Sequence, residues 1–142
     1  MTAKEYLRRV EHAEREIGML RARIRHYEEM GMNITSHFSD TPVKGSRGAS
    51  RVEAASVGIV DTMQSLNANL RAYEAIVHDA EVMIGRVPQE KYRQLLTLRY
   101  LCGMSLRSVG DEMRYQDRNS VYRAHGWALL EFQRVLNQSE RD

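Results

Sequence analysis

One cysteine, two prolines, one tryptophan and two phenylalanines are all that this 142-residue chain holds of those types. Cys102 has no partner for an internal disulfide and cannot join other cysteines around zinc. It lies in the apolar run LRYLCGM, where a buried small hydrophobe is expected rather than a nucleophile. No stretch approaches the roughly 18 consecutive apolar residues of a membrane span. The opening MTAKEYLRRVEHAERE alternates charge and lacks the apolar centre of a signal peptide, so a cytoplasmic location is expected. The five histidines (12, 26, 37, 78 and 125) are scattered, with no HExxH spacing. Neither GxGxxG nor GxxxxGK[ST] is present, and the carboxylates show only ordinary helix-surface spacing. We therefore expect no catalytic residues, no metal and no cofactor, and not an enzyme. Net charge is only +2. Residues 88–142 hold nine Lys/Arg against seven Asp/Glu, whereas residues 51–87 hold three against five. Any polyanion partner must be met by where the arginines point.

With so few prolines and glycines, long helices are open to the chain. Residues 2–31 repeat apolar side chains at three-four spacing: Ala3, Tyr6, Val10, Ala13, Ile17, Leu20, Ile24 and Tyr27. That is the heptad seam of an amphipathic helix. Thr2 and Glu5 form a capping box at its start, and Gly31 with Asn33 marks its expected end. The arginines at 21, 23 and 25 suit either a solvated helix face or a nucleic-acid patch. Residues 32–50 lose the periodicity and are rich in Ser, Thr, Gly and Asn. They read as a connecting loop, either a flexible linker or a basic arm carrying Lys44, Arg47 and Arg51. A second long helix is expected over 51–86, capped by Ser50 with Glu53. Its seam is Val52, Ile59, Met63, Leu66, Leu70, Tyr73, Val77, Ala80 and Ile84, continued by Val87. Two such seams must be covered, either by each other in an antiparallel hairpin or by a second copy of the chain.

Beyond Val87 the pattern changes to short helices. Pro88 is placed to open one of them, running to Gly103, which breaks it. Tyr92, Leu95, Leu96, Tyr100, Leu101 and Cys102 form its apolar face. Ser105 caps a helix from Leu106 to Met113, whose expected buried stripe is Leu106, Val109, Gly110 and Met113, with Gly110 as the small residue that close helix contact needs. Arg114-Tyr115-Gln116 makes a turn. Asp117 caps a last helix from Arg118 to about Leu136, and the tail NQSERD should fray. Val121, Ala124, His125, Ala128, Leu129, Phe132, Val135 and Leu136 form its inner stripe, with His125 as a hydrogen-bonded core residue.

This order of elements is that of a helix-turn-helix, whose second helix enters the major groove of duplex DNA. The outward N-terminal residues then become Arg118, Asn119, Ser120, Tyr122 and Arg123. Arginine can fork onto guanine O6 and N7, and asparagine pairs with adenine in the same two-pronged way. Serine and tyrosine reach phosphate or sugar. Arg107 and Arg114 flank the unit as candidate backbone contacts, with Lys91 and Arg93 in the helix before. The same residues also suit an ordinary exposed polar face.

Residues 92–130, with YRQLLTLRYLCGMS leading into LRSVGDEM, resemble region 4 of bacterial sigma factors. Over roughly 40–136 the chain also resembles small phage regulators of the RinA/ArpU type. There the similarity rests on TPVKGSRGASRVE before a long helix, LRY…GMS, and RNSVYRAHGWAL. The resemblance implies a phage or prophage transcription regulator of late genes that binds promoter or operator DNA, with host RNA polymerase as a further expected partner. The expected fold is therefore all-α. A long helical hairpin or coiled coil (1–87), serving homodimerisation or partner binding, precedes a DNA-binding helix-turn-helix domain (88–142). A DNA-packaging component like a small terminase subunit and a coiled-coil interaction protein that does not bind DNA are the other two readings.

Overall fold

The computed structural model describes residues 1–40 and 46–142, with side chains described for 1–31, 53–54 and 57–142. Every regular element among these residues is a helix. The elements are α1 (Ala3–Asp40), α2 (Ser46–Gly85), α3 (Glu90–Leu96), a π-helical turn (Thr97–Leu101), α4 (Leu106–Glu112) and α5 (Arg118–Arg141). No helix among the described residues is long and apolar enough to cross a membrane.

The chain divides into two compact units. One comprises Met1–Arg15 with Tyr73–Asp142, the other Glu16–Ala72. The first unit therefore takes in the opening turns of α1 and the closing turns of α2 as well as everything after Val87. Its core joins Ala3 and Leu7 of α1, Met83 and Ile84 of α2, Val87, Leu95 and Leu96 of α3, and Tyr100. Val109 of α4 and Val121, Ala124, Ala128, Phe132, Val135 and Leu136 of α5 complete it. In the second unit, Ile17, Leu20 and Ile24 of α1 and Leu66 of α2 are buried. The α1 seam is thus covered within a single chain, but it runs through Leu7 rather than Tyr6. Leu7 is fully buried, while Tyr6 sits at the seam's edge.

The ends of α1 and α2 depart from the expected loop. α1 passes Gly31 and Asn33 and continues to Asp40, and α2 begins at Ser46, so Ser50 is not its cap. Ser, Thr and Asn disfavour a helix interior only weakly, by less than about 0.7 kcal/mol each relative to Ala. Pro42, which forbids helix to its predecessor, comes only after Asp40. The side chains of Lys44, Arg47 and Arg51, suggested as a basic arm, lie outside the described residues, as do those of Ser50 and Val52.

The capping box at the start of α1 is formed: the Thr2 amide donates to Glu5 Oε2 (3.0 Å) and the Glu5 amide to Thr2 Oγ1 (3.2 Å). The next orphan amide, Ala3 N–H, donates to Gln133 Oε1 of α5 at 2.7 Å. That bond ties the first turn of α1 to the middle of α5 and satisfies a helix-end donor the sequence leaves unpaired. Tyr6 stacks at a tilt on Phe132, with centroids 5.4 Å apart, and its hydroxyl donates to Asp79. Burial and this anionic neighbour raise the Tyr6 pKa far above its ordinary value. His12 meets Tyr73 edge-on.

α3 begins at Glu90, with Gln89 as its N-cap, not at Pro88. Arg93 is not free for an external partner. Its Nη1 donates to the carbonyls of Val87 (2.6 Å) and Pro88 (2.9 Å), orphan acceptors of the α2–α3 connection. The π turn explains a second correction. Cys102 N–H bonds the carbonyl of Thr97, five residues back, at 3.0 Å. A π turn holds about one residue more than an α turn, so the face leading from Leu95 rotates away before residue 102. Tyr100 is turned inward and Cys102 is exposed, not buried as expected. Gly103, with φ of +70°, reverses the chain so that the Met104 amide closes on the Leu98 carbonyl at 3.1 Å.

Candidate nucleic-acid interface

The site is built on α4, the following turn and the first turns of α5. Ser105 caps α4 by accepting from the Ser108 amide at 3.1 Å. Val109 and Gly110 are buried and face Val121 of α5. A Cβ placed on Gly110 would lie 3.3 Å from Val121 Cγ1, so only glycine admits α5 at this spacing without displacement. α4 closes as the Met113 amide bonds the Val109 carbonyl (2.9 Å) and the Tyr115 amide bonds the Gly110 carbonyl (2.8 Å). Between them Arg114 holds φ of +61°, the left-handed region where a side chain costs about 1–2 kcal/mol relative to glycine. It is the left-handed residue of a Schellman-type helix end, with the Arg114 amide also bonded to the Asp111 carbonyl at 3.2 Å, and its side chain is exposed.

Asp117 then starts α5. Its Oδ1 accepts from the Ser120 amide at 2.7 Å and from the Ser120 hydroxyl at 3.0 Å. Those bonds, chiefly the backbone one, hold its carboxyl below the usual pKa, with Arg123 adding a smaller pull. Ser120 is half-buried and its hydroxyl is given to this cap, so it differs from the exposed Arg118, Asn119, Tyr122 and Arg123. Arg118, Asn119, Tyr122 and Arg123 are exposed around the first two turns. Arg107 of α4 and Arg118 border a shallow depression of about 160 Å³, together with Asp111, Tyr115, Gln116 and Asp117. Two arginines against two aspartates leave this hollow near neutral. The net positive face lies beyond it, along the outer side of α5.

Behind the face, α5 is held stiffly. Tyr100 OH and His125 Nε2 are 2.7 Å apart, which gives the buried tyrosine hydroxyl and the half-buried imidazole a partner. Burial pushes the Tyr100 pKa up and the His125 pKa down, and Arg99 and Lys4 also disfavour a charged imidazole. Arg99 meets Glu11 at 3.6 Å, so the π turn is tied to α1. α5 does not fray at Leu136 but continues to Arg141. Its far end is engaged by the N-terminal segment: Gln133 Nε2 donates to the Met1 carbonyl at 3.4 Å, and the terminal ammonium lies 3.8 Å from Glu140.

The structure brings Arg107 and Arg118 to one depression and leaves Arg107, Arg114, Arg118, Asn119, Tyr122 and Arg123 exposed, with Ser120 half-buried at the cap. Two further residues of α5, Trp127 and Leu130, are more than half exposed and were not singled out from sequence. Their phase signals them, since they fall four and seven residues after Arg123, off the inner stripe. Among the described residues no group of three His, Cys, Asp or Glu is placed to hold a metal ion. No protein-family model matches the chain, and no significant match was found among curated proteins or solved structures.

Proposed function

We infer that the chain is a sequence-specific DNA-binding transcription regulator, of phage or prophage genes as the resemblance implies, that reads duplex DNA with α5. The observation that carries this is the Asp117-capped start of α5. It presents Arg118, Asn119, Tyr122 and Arg123 outward, while Gly110 lets Val121 seat against α4 behind it. α4, the turn at 113–117 and α5 then act as a helix-turn-helix, with Arg118, Asn119 and Arg123 at base edges. Arg107 and Arg114 serve the sugar-phosphate backbone, Arg114 from the left-handed residue that ends α4. α1 and α2 make an antiparallel hairpin, a geometry that the Tyr6–Asp79 and His12–Tyr73 pairs fit. Because the α1 seam is covered within one chain, a dimer partner or polymerase has to use other surfaces.

Selection of bound sequences from a random duplex pool should converge on a discrete motif. Binding to that motif should weaken steeply with salt, because phosphate neutralisation releases counterions. Arg118→Ala and Arg123→Ala should each lose about 1–3 kcal/mol and relax the motif at one position. Arg107→Ala and Arg114→Ala should weaken all sequences alike. If neither Arg118→Ala nor Arg123→Ala changes affinity or motif, α5 is not the reading helix.

A further inference from the structure

We propose that the DNA contact does not end at Arg123 but runs on along α5 through Gly126, Trp127 and Leu130, with Trp127 lying against the sugar-phosphate backbone and donating its indole N–H to a phosphate. This rests on the DNA-binding reading above and extends it to residues that neither the sequence pattern nor that reading assigns.

Three observations converge. The first is exposure. Tyr122 is 51% exposed, Trp127 59% and Leu130 55%, on a helix whose inner stripe is otherwise almost fully buried. Large apolar side chains left in water on one face mark a contact surface. At 3.6 residues per turn, Trp127, Leu130 and Arg134 all fall within roughly 40° of Arg123 around the axis, and Trp127 lies about 6 Å further along it.

The second is Gly126, which lies between Tyr122 and Leu130 along one i, i+4 row and about 60° around the axis from Arg123. A Cβ there would meet nothing within 4 Å, so no packing inside the chain calls for glycine. Its φ is an ordinary helical one, so the backbone does not call for it either. A bare position in a helix interior, unused by the protein itself, fits close approach by another molecule.

The third is charge. Between Asp117 and Glu131 there is no carboxylate, while Arg118 and Arg123 are both exposed. Glu131 is itself taken by Arg134 at 2.8 Å. A face of arginine and aromatic rings without free acid is complementary to a polyanion. A second copy of the chain would bring the same arginines together, which disfavours self-association through this face. Indole supplies a single donor and no acceptor, which matches a phosphate oxygen.

The full-length chain is titrated with a fluorescein-labelled pool of 30-bp random-sequence duplexes at low and at physiological salt. Anisotropy reports binding, and the emission of Trp127, the only tryptophan, reports its own environment. Expected is a change in indole emission that tracks the anisotropy curve and is reversed by salt. Trp127→Ala should bind on the order of tenfold more weakly, and Trp127→Phe should recover part of that. Gly126→Ala is the sharper variant, because its two readouts move in opposite directions. It should raise the Tm, since alanine favours helix and the space is open, yet weaken DNA binding. If the duplex binds and Arg123→Ala weakens it, while indole emission stays flat and Trp127→Ala and Gly126→Ala bind as wild type, the extension is wrong and the DNA-reading helix stands. The exposed face then serves a protein partner. If no duplex binds even at low salt, the DNA-binding reading itself fails, and this inference with it.

Discussion

Replacing Gly110 by alanine pits two effects of similar size against each other, and the structure decides between them. Alanine in the interior of α4 gains about 1 kcal/mol of helix propensity over glycine. The new methyl, however, would lie 3.3 Å from Val121 Cγ1, 3.4 Å from its Cβ and 3.6 Å from Cγ2. Val121 is about 1% exposed and β-branched, so its χ1 is stiff in a helix and it cannot swing aside. Overpacking of this kind costs about 1–3 kcal/mol. The expected net effect is a loss of up to about 2 kcal/mol, or several degrees in Tm for a chain of this size. Val121→Ala alone should be destabilising by roughly 1–3 kcal/mol, by loss of two buried methyls. In that background only the Cβ of residue 121 remains, at 3.4 Å, an ordinary van der Waals contact, so Gly110→Ala should become stabilising by up to about 1 kcal/mol. The pair should therefore couple by about 2 kcal/mol in a double-mutant cycle read by urea unfolding. A Gly110→Ala single variant more stable than wild type, with no coupling to Val121→Ala, would refute the close-contact account of the α4–α5 pair. It would also leave the spacing of the proposed reading helix without a cause.

Further expectations follow from the same contacts. Leu7→Ala should cost about 2–5 kcal/mol in urea unfolding, because Leu7 is fully buried in the core that holds α5, whereas Tyr6→Phe should lose only about 1 kcal/mol with its bond to Asp79. His125 has a folded-state pKa below its ordinary value of 6.5, so the unfolded chain takes up the proton first. Its neutral form therefore stabilises the fold above that value, and stability declines as pH falls below it. His125→Gln, which keeps a partner for the Tyr100 hydroxyl, should flatten the slope; an unchanged Tm–pH profile between about pH 7 and 5 would overturn the assignment. Asp117 has a depressed carboxyl pKa, so its contribution is present above the ordinary value of 3.8 and is lost as pH falls through the lowered one. Asp117→Ala should lower the Tm at neutral pH and remove that acid-side loss, while Asp117→Ser, a neutral cap, should recover most of the Tm.

The signals that read correctly from sequence were short-range. Thr2 and Glu5, Ser105 and Ser108, Asp117 and Ser120 are each three residues apart, and a helix start determines their geometry whatever packs around it. Gly103 and Gly110 were equally legible, one as a breaker and the other as the small residue between two helices. The inner stripe of α5 followed from its 3.6-residue period. Seam membership in α1 was ambiguous, because Tyr6 and Leu7 both fit three-four spacing and only the core's position selects Leu7. The end of α1 was misplaced because polar residues merely disfavour helix and do not stop it.

By itself, the sequence determined that this chain is helical, where four of its helices start or break, and which side chains of α5 face away from its apolar stripe. Those are properties of bonds and contacts within one or two turns. Only the tertiary structure decided that Arg93 caps carbonyls instead of facing outward, and that Cys102 is exposed by a π turn. It alone showed that Gln133 reaches 130 residues back to the first turn of α1, and that Trp127 and Leu130 are left uncovered. The Arg93 and Cys102 contacts close within six residues, whereas the Gln133 contact and the uncovered Trp127 and Leu130 depend on which surfaces meet across long stretches of chain. No local pattern carries that information, because the free energy that selects it is burial shared among residues far apart in sequence.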